Sequence, residues 1–240
     1  MIDFHSHILP NIDDGSTSIE ETINLIKEAS QVGFTGIIST SHYIQGYYEF
    51  NCYERKQLLD IVKKKMCSDK FLNLDLYLGS EIYFSPEIVD LIKKQKASTI
   101  NNTRYILFEL PMNTKPLFVK EVVFELIENG YIPIIAHPER YSYIQNEIKY
   151  AEELASVGTL FQSNYGSIIG IYGSEAKKTL KKLLKSNLVS FLGSDVHRTE
   201  QIYPQIPKAL KKIKKLISEE EVQKLTTLNA QKVLKNEEIY

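Results

Sequence analysis

The 240-residue chain is poor in cysteine and carries almost no excess charge. It has two Cys, no Trp, and 29 Lys+Arg against 30 Asp+Glu, which gives a formal net charge of −1. Two cysteines cannot build a disulfide framework, and near-neutrality removes the electrostatic argument for a nucleic-acid or membrane-surface protein. No apolar run approaches the ~18 residues of a membrane span, and the first residues show no signal-peptide pattern. We expect a cytoplasmic protein without membrane insertion and without nucleic acid as a partner.

What the chain does contain is a regular alternation of short apolar runs and helical patterns. Two capping boxes, Ser18 with Glu21 and Ser218 with Glu221, predict helix starts. Alternating strands and helices imply an α/β fold with parallel strands and helical crossovers. The number of units is near that of a TIM-like barrel but one unit short, and no linker divides the chain, so we predict a single domain over residues 1–240. The seven predicted strands are residues 2–4, 36–40, 74–78, 105–108, 132–136, 159–161 and 188–192.

All five histidines of the chain fall at or just after the ends of these predicted strands, together with four carboxylates. In barrel folds this end of the strands carries the catalytic residues. A single His there is more often a surface or hydrogen-bonded core residue. Apolar strands predict buried neighbours, however, and buried carboxylates are costly unless they are paired or metal-bound. We therefore predict a metal site built from His5, His7, Asp14, His42, Glu81, Glu109, His137, Asp195 and His197.

The composition of this set narrows the choice of metal. It holds no cysteine, and imidazole with carboxylate suits Mn, Fe or Zn. Nine ligands are too many for one ion, so two or three ions with a bridging carboxylate are expected. Such sites typically generate a nucleophilic hydroxide and clamp a phosphoryl group.

Arginine is scarce, with four residues in the whole chain, and two of them adjoin the predicted ligands. Arg140 follows His137 by three residues, and Arg198 directly follows His197. A guanidinium can grip phosphate oxygens with two parallel hydrogen bonds. We predict that both arginines are catalytic and that Arg140 binds the phosphate group of the substrate. The alternative for Arg140 is a pairing with a helix end or a carboxylate.

The motifs together resemble the PHP superfamily (polymerase and histidinol phosphatase), and within it the bacterial tyrosine-protein phosphatases of capsule and exopolysaccharide loci. The resemblance covers nearly the whole chain. It is carried by DFHSHILP at 3–10, IDDGS at 12–16, SHY at 41–43, GSE at 79–81, FELP at 108–111, GYIP at 130–133, AHPERY at 136–141 and GSDVH at 193–197.

This resemblance implies a distorted seven-stranded (βα) barrel with three divalent ions, usually Mn2+, with Fe or Zn as alternatives. The first ion would be held by His5, His7, Glu81 and Asp195. The second would share Glu81 and add Glu109 and His137. The third would be held by Asp14, His42 and His197.

The arginines match the family only in part. Arg140 stands at the position of the family's phosphate-binding arginine. A second arginine often follows the last His by five residues, and that position is Ile202 here. The hypothesis is that Arg198 replaces it from a shifted position.

The resemblance also implies an activity, which is hydrolysis of phosphotyrosine. The substrate would be a phosphotyrosyl protein, a membrane-associated tyrosine autokinase that controls polysaccharide export. The thiol mechanism is excluded by the residues themselves, because Cys-x5-Arg would need arginine where Leu58 and Asn73 stand. Both cysteines are expected to be packing residues. The main alternative is another PHP phosphoesterase, such as a histidinol-phosphate phosphatase. A metal-dependent exonuclease is disfavoured by the near-neutral charge and the lack of a basic, aromatic-lined strip. A non-catalytic binder is disfavoured because all nine ligands are present.

Overall fold

Two parallel β-sheets form the centre of the computed structural model, which describes residues 1–67 and 74–239. The first sheet has the strand order β1 (Ile2–Ser6), β2 (Gly36–Ser39), β4 (Asp75–Leu78). The second has six strands in the order β3 (His42–Tyr43), β5 (Glu81–Tyr83), β6 (Tyr105–Glu109), β7 (Ile132–Ala136), β8 (Leu160–Asn164), β9 (Phe191–Gly193). Every strand pair within the two sheets is parallel, which confirms the α/β class.

The division into two sheets differs from the expected single set of seven strands. Each of the seven predicted runs contains a strand, but β3 and β5 are additional, and they follow β2 and β4 after two-residue interruptions. At the first interruption the hydroxyl of Thr40 accepts a hydrogen bond from the backbone N–H of Ser6 at 3.1 Å. The side chain of Thr40 thus takes the place of a backbone acceptor in the pairing of β1 with β2. The register of these two strands shifts between Asp3 and Ser6. In the last run, strand β9 begins at Phe191, three residues later than predicted.

Eleven α-helices of the described residues connect and cover the strands. The predicted helix starts are confirmed, since Oγ of Ser18 and of Ser218 each accepts the backbone N–H three residues later at 3.1 Å. The reciprocal half of the box differs, because Glu21 Oε2 accepts from the backbone N–H of Thr17 and Glu221 Oε1 pairs with Lys224. A π-helical turn, Lys224–Leu228, joins the last two helices. The helices are α1 (Ile19–Gln31), α2 (Cys52–Cys67), α3 (Ile88–Lys93), α4 (Val119–Glu128), α5 (Ser142–Asn146), α6 (Lys149–Ser156), α7 (Tyr165–Ile169), α8 (Gly173–Lys185), α9 (Ile206–Ile213), α10 (Glu219–Gln223) and α11 (Asn229–Leu234).

An apolar cluster fills the space between the strands away from their carboxyl ends. Phe4 of β1 stacks on Phe191 of β9, with ring centroids 3.9 Å apart. Leu107 of β6 and Ile134 of β7 join them, and Val233 of α11 belongs to the same buried cluster. Polar side chains are therefore displaced towards the carboxyl ends of the strands, where the predicted ligands lie.

The exposure of the two cysteines and the length of the helices can be compared with two expectations: that both thiols pack in the core, and that no segment crosses a membrane. Cys52 is half-buried, and its Sγ accepts a hydrogen bond from the Ser98 hydroxyl at 3.2 Å. Cys67 is exposed at the end of α2, so the packing role expected for it is wrong, because the helix buries the neighbouring Met66 and turns Cys67 to solvent. Across residues 1–67 and 74–239, the helices are all too short or too polar to cross a bilayer.

Candidate metal centre

The structure brings all nine predicted ligands together at the carboxyl ends of the strands. Three sets of their nitrogen and oxygen atoms lie within 4.8 Å of one another: His7, Asp14, His42 and His197; His5, His7 and Glu81; His42, Glu81 and Glu109. Asp195 Oδ1 is 3.5 Å from Nε2 of His5, and His137 Nε2 is 2.8 Å from Glu81 Oε1. The sets overlap through His7, His42 and Glu81 and are less separate than the division among three ions that the resemblance implies.

The spacing of His5 and His7 places both rings on the same side of the extended chain. Their Nε2 atoms are 3.0 Å apart, and both residues are fully buried. Glu81 Oε2 lies 3.3 Å from Nε2 of His5, 3.4 Å from Nε2 of His7 and 3.0 Å from Nδ1 of His42. Among the described residues this buried oxygen has no hydrogen-bond donor of suitable geometry. An unpaired carboxylate oxygen surrounded by imidazole nitrogens fits a divalent cation.

Two of the ligands follow their strands in a left-handed backbone conformation. His137 has φ +33° directly after β7, and Asp195 has φ +55° shortly after β9. Such values are uncommon for residues other than glycine and tend to occur at functional sites. The backbone N–H of Asp195 donates to the carbonyl of His5 at 2.8 Å. These sharp turns hold both side chains over the ends of the strands.

The carboxylates crowd one another. Burial raises the pKa of Glu109 well above its ordinary value, and the negative charges of Glu81 and Asp195 raise it further. Burial opposes ionisation of Glu81 as well, but His5 and His42, with the hydrogen bond from His137, hold its pKa well below the usual range. Three carboxylates in one buried space therefore need positive charge, and the nitrogen and oxygen donors are those that Mn, Fe or Zn accept.

Asp13 supports two of the ligands, and the sequence reasoning missed it. Its side chain is fully buried. Oδ2 accepts hydrogen bonds from Nδ1 of His7 and from the backbone N–H of His42, both at 2.8 Å. Burial would raise the pKa of this carboxyl, but the charge of His7 and the hydrogen bonds lower it below its usual range. Asp13 thus turns Nε2 of His7 towards the other ligands, as outer carboxylates commonly do for metal-binding histidines.

Strand β8 supplies a second supporting pair, which was also missed. His5 Nδ1 donates to Oε1 of Gln162 at 2.7 Å. Gln162 Nε2 donates to Oδ1 of Asn164 at 2.9 Å, and Asn164 Nδ2 donates to Oδ2 of Asp195 at 2.7 Å. The predicted strand ended at residue 161, whereas β8 continues to Asn164. The polar residues directly after the apolar run were the available signal, because alternate positions share a face.

Arg140 lies at the mouth of the site, which we define as the partly exposed groups Asp14, His42, Arg140 and His197. Its side chain is 26% exposed, and Nη1 donates to Asp195 Oδ2 at 2.7 Å. The carboxylate pairing considered from the sequence is therefore present. The location at the mouth is compatible with a role in binding substrate.

Arg198 contacts the backbone of the ligand loops. Its Nη1 donates to the carbonyl oxygens of Asp14 and His197, each at 2.8 Å, and to that of Gly15. This geometry holds the Asp14 loop in place and differs from that of a phosphate clamp. Ile202, at the position of the family's second arginine, is buried in the apolar core.

Arg55 of α2 is a fully buried guanidinium that the sequence did not assign to the site. It donates to the carbonyl oxygens of Phe50 and Ser41, each at 2.7 Å, and to that of His42 at 2.5 Å. Arg55 therefore joins both ends of the segment that carries His42. Burial lowers its pKa to about 10, so the group stays charged at neutral pH.

Comparison with known proteins places the chain in a family. A family model described as "Capsular polysaccharide synthesis, CpsB/CapC" matches residues 1–235. CapC of Staphylococcus aureus is 38% identical over 197 residues, which cover 82% of this chain and 77% of the relative. The tyrosine-protein phosphatase YwqE of Bacillus subtilis is 31% identical over 240 residues, which cover 100% of this chain and 94% of the relative.

Solved structures give the same result. One, described as YwqE from Bacillus subtilis and CpsB from Streptococcus pneumoniae, metal-dependent tyrosine phosphatases, matches with a TM-score of 0.93 at 31% identity over 100% of this chain and 96% of that chain. Histidinol phosphate phosphatase from Lactococcus lactis matches with a TM-score of 0.56 at 16% identity, covering 90% and 93%, which shows a shared fold alone. The chain belongs to the CpsB/CapC family of capsular polysaccharide synthesis.

Proposed function

We propose that the chain is a metal-dependent protein-tyrosine phosphatase that acts in the synthesis of capsular or extracellular polysaccharide. One observation carries the proposal: five imidazoles, four carboxylates and Arg140 converge at one end of the strands, in a chain that aligns along its whole length with a tyrosine-protein phosphatase. A phosphomonoesterase function accounts for both the crowded ligands and the guanidinium beside them.

The nine ligands would hold two or three divalent ions, with Mn2+ preferred and Fe or Zn as alternatives. Ions in such a site supply Lewis acidity that offsets phosphoryl charge and makes water more acidic. The overlap of the three ligand sets supports Glu81 as the shared, bridging carboxylate. Its Oε1 is bonded to His137 and its Oε2 faces three imidazoles, so the two oxygens are directed to different parts of the site.

The residues of the chain divide the remaining work. Arg140 would bind the phosphate oxygens and stabilise the charge that they carry in the transition state. Asp13 and Gln162 would hold His7 and His5 in the tautomers that direct Nε2 to the ions. Arg198 would keep the Asp14 loop closed over the site.

We infer that the two sheets act as one distorted seven-stranded barrel in a single domain of residues 1–240. Strands β2 and β3, and likewise β4 and β5, would each count as one interrupted strand. The parallel bridge between Ser6 and Val196 supports closure between β1 and the segment after β9.

The partner that we propose is a phosphotyrosyl protein, a membrane-associated tyrosine autokinase of the same polysaccharide pathway, met in the cytoplasm. The family description and the activity of the relatives support this choice. Phosphotyrosine presents a phosphate on a rigid aryl stem, which suits a site where ligands such as His7 and Glu81 are buried behind partly exposed groups.

Histidinol-phosphate phosphatase activity is the alternative, because the fold is shared and the resemblance to the superfamily implies the same metal ligands. The much closer structural match to the tyrosine phosphatases favours the main proposal. The ligand set does not distinguish the two substrates, so the comparison of rates must.

The deciding experiment measures kcat/KM of the Mn2+-loaded chain on a phosphotyrosyl peptide and on histidinol phosphate. We expect the peptide to be preferred, His5→Ala and Arg140→Ala to lose at least about 100-fold on it, and thiol alkylation to have no effect. Tyr53→Leu, which changes an exposed residue of α2, is the control variant for effects of expression and purification. Preference for histidinol phosphate, or full activity in His5→Ala, would refute the proposal.

A further inference from the structure

A tight turn between α7 and α8 lies beside Arg140. The turn is Gly170-Ile171-Tyr172-Gly173, and both glycines are left-handed, with φ +93° and +91°. Glycine adopts this conformation without steric cost, so the chain can reverse within four residues. Ile171 is exposed at the outside of the turn, whereas Tyr172 is half-buried.

The ring of Tyr172 lies against the guanidinium of Arg140. The guanidinium carbon is 4.4 Å from the ring centroid, within the ~6 Å range of a cation–π contact. Nη1 of the same guanidinium donates to Oδ2 of Asp195 at 2.7 Å. One contact fixes an edge of the planar group and the other covers its face, so together they fix its orientation.

Gly166 of α7 makes room for this ring. A Cβ at position 166 would lie 2.9 Å from Cε2 of Tyr172, which is closer than carbon atoms pack. The backbone N–H of Ile171 also donates to the carbonyl of Gly166 at 3.1 Å. The same residue therefore anchors the turn and accommodates the side chain that the turn presents.

The orientation of Arg140 matters because neither of the two other positions considered for a phosphate-binding arginine has the geometry of a phosphate clamp. Ile202 is buried in the core, and Nη1 of Arg198 is bonded to backbone carbonyls. Within the hydrogen bonds of the described residues, Arg140 is the one arginine whose guanidinium donates to a predicted ligand side chain.

We propose that Tyr172 is a positioning residue that orients Arg140 for binding of the substrate's phosphate group. The proposal rests on the phosphatase function proposed above for the same site. Nη1 stays on Asp195, which leaves the other N–H donors of the guanidinium to the phosphate oxygens. Without the ring, the side chain has more freedom, and phosphate binding must then include the cost of ordering it.

The test measures the affinity of the full chain, loaded with Mn2+, for inorganic phosphate by isothermal titration calorimetry. Tyr172→Leu should weaken binding about three- to ten-fold, since it removes the aromatic face. Tyr172→Phe keeps the ring and should weaken binding less than two-fold. Gly166→Ala displaces the ring without changing it and should weaken binding to a similar extent as Tyr172→Leu. The metal content of each variant, measured by mass spectrometry, should match that of the wild type.

A double-mutant cycle separates positioning from a general structural role. In the Arg140→Ala background, Tyr172→Leu should change phosphate affinity less than two-fold, because no guanidinium remains for the ring to orient. An equal loss in both backgrounds would overturn the proposal, as would loss of metal in Tyr172→Leu alone. A wild-type chain that binds phosphate but hydrolyses no phosphotyrosyl peptide would contradict only the proposed function, because the cycle measures binding rather than turnover.

Discussion

The two ends of the strands are built from opposite kinds of residue. In β1, Phe4 packs in the apolar cluster, while His5 and His7, at and just beyond the end of the strand, join the ligands. In β7, Ile134 belongs to the apolar cluster, while His137 follows the strand and bonds to a buried carboxylate. The side chains named here are buried at both ends. Those of the apolar cluster need only packing, whereas at the ligand end Oε2 of Glu81 and Nδ1 of His137 find no hydrogen-bond partner among the described residues.

This difference teaches that stability and chemistry are separated along the same strands. Burial of aromatic and aliphatic side chains at the apolar end stabilises the fold by the usual few kcal/mol per side chain. Crowded carboxylates at the ligand end oppose it unless cations are bound. Changes at the apolar end should therefore alter stability without altering metal content, whereas changes at the ligand end should alter metal content as well as stability.

Removal of the metal should have the largest effect. With a strong chelator in excess, we expect activity on a phosphotyrosyl peptide to fall at least about 1,000-fold, because the ions supply the charge that the phosphoryl group needs. The midpoint of thermal unfolding should also fall, since a ligand that binds only the folded state stabilises it. Added Mn2+ should restore both measurements. Unchanged activity in protein shown to be metal-free would contradict the metal-dependent function.

Phe191→Ala tests the apolar end. Phe191 is fully buried and stacked on Phe4, so its truncation should lower the free energy of unfolding by about 3–5 kcal/mol. Metal stoichiometry, measured below the unfolding transition, should stay unchanged. Phe124→Ala, on a residue that is 62% exposed, should change stability by less than about 0.5 kcal/mol. Loss of metal from folded Phe191→Ala would show that the two ends are coupled.

Asp13→Asn tests the support of the ligand end. The change removes a carboxylate that accepts from His7, and we expect metal affinity to fall about 10- to 100-fold. In metal-free protein it should also lower stability above about pH 4, the ordinary pKa of Asp. The pKa of Asp13 is depressed in the folded state, so its contribution is present above that pH and is lost as the pH falls through the folded value.

The matched control for this variant is Asp60→Asn, whose exposed carboxylate pairs with Lys56 on α2. It should leave metal affinity unchanged. Equal metal affinity in Asp13→Asn and wild type would show that His7 needs no outer carboxylate. Equal stability losses at pH 3 and pH 6 would contradict the electrostatic explanation.

Arg198→Gln should have the smallest effect. Its guanidinium bonds to backbone carbonyls of the Asp14 loop, so we expect a loss in kcat/KM of about three- to ten-fold from looser positioning, with the phosphate affinity nearly unchanged. Lys at this position should restore part of the rate. A large loss of phosphate affinity would return Arg198 to the clamp role predicted from its sequence position.

Much of the site could be predicted because parallel strands bring their carboxyl ends together. His5, His42 and Asp195 are far apart in the chain, yet their common position after apolar runs was enough to group them. The same rule could not assign roles. Whether each side chain binds metal stays a prediction, since ligand identity depends on the ions themselves.

The residues that were missed share one property, which is that their partners are defined only by the folded chain. Asp13 reads as part of a turn beside Gly15, and nothing local reveals its bond to His7. Arg55 lies on an ordinary helix, and its carbonyl acceptors become adjacent only when the His42 segment folds over it. Strands β3 and β5 were not predicted for a different reason, because runs of two or three residues carry too little periodicity to be recognised.

The interruptions of the two neighbouring strands, at Thr40–Ser41 and at Gly79–Ser80, have a consequence for how this architecture can diverge. Strands β3 and β5, which bear His42 and Glu81, belong to the six-stranded sheet. Strands β2 and β4, which precede them, belong to the three-stranded sheet. A shift of β3 and β5 need not change the register of the sheet that contains β2 and β4. In that sheet, a slip of one residue would move every side chain to the opposite face. Related chains can therefore differ in the width of the opening, and so in the leaving group that they admit, while the apolar end of the strands stays the same.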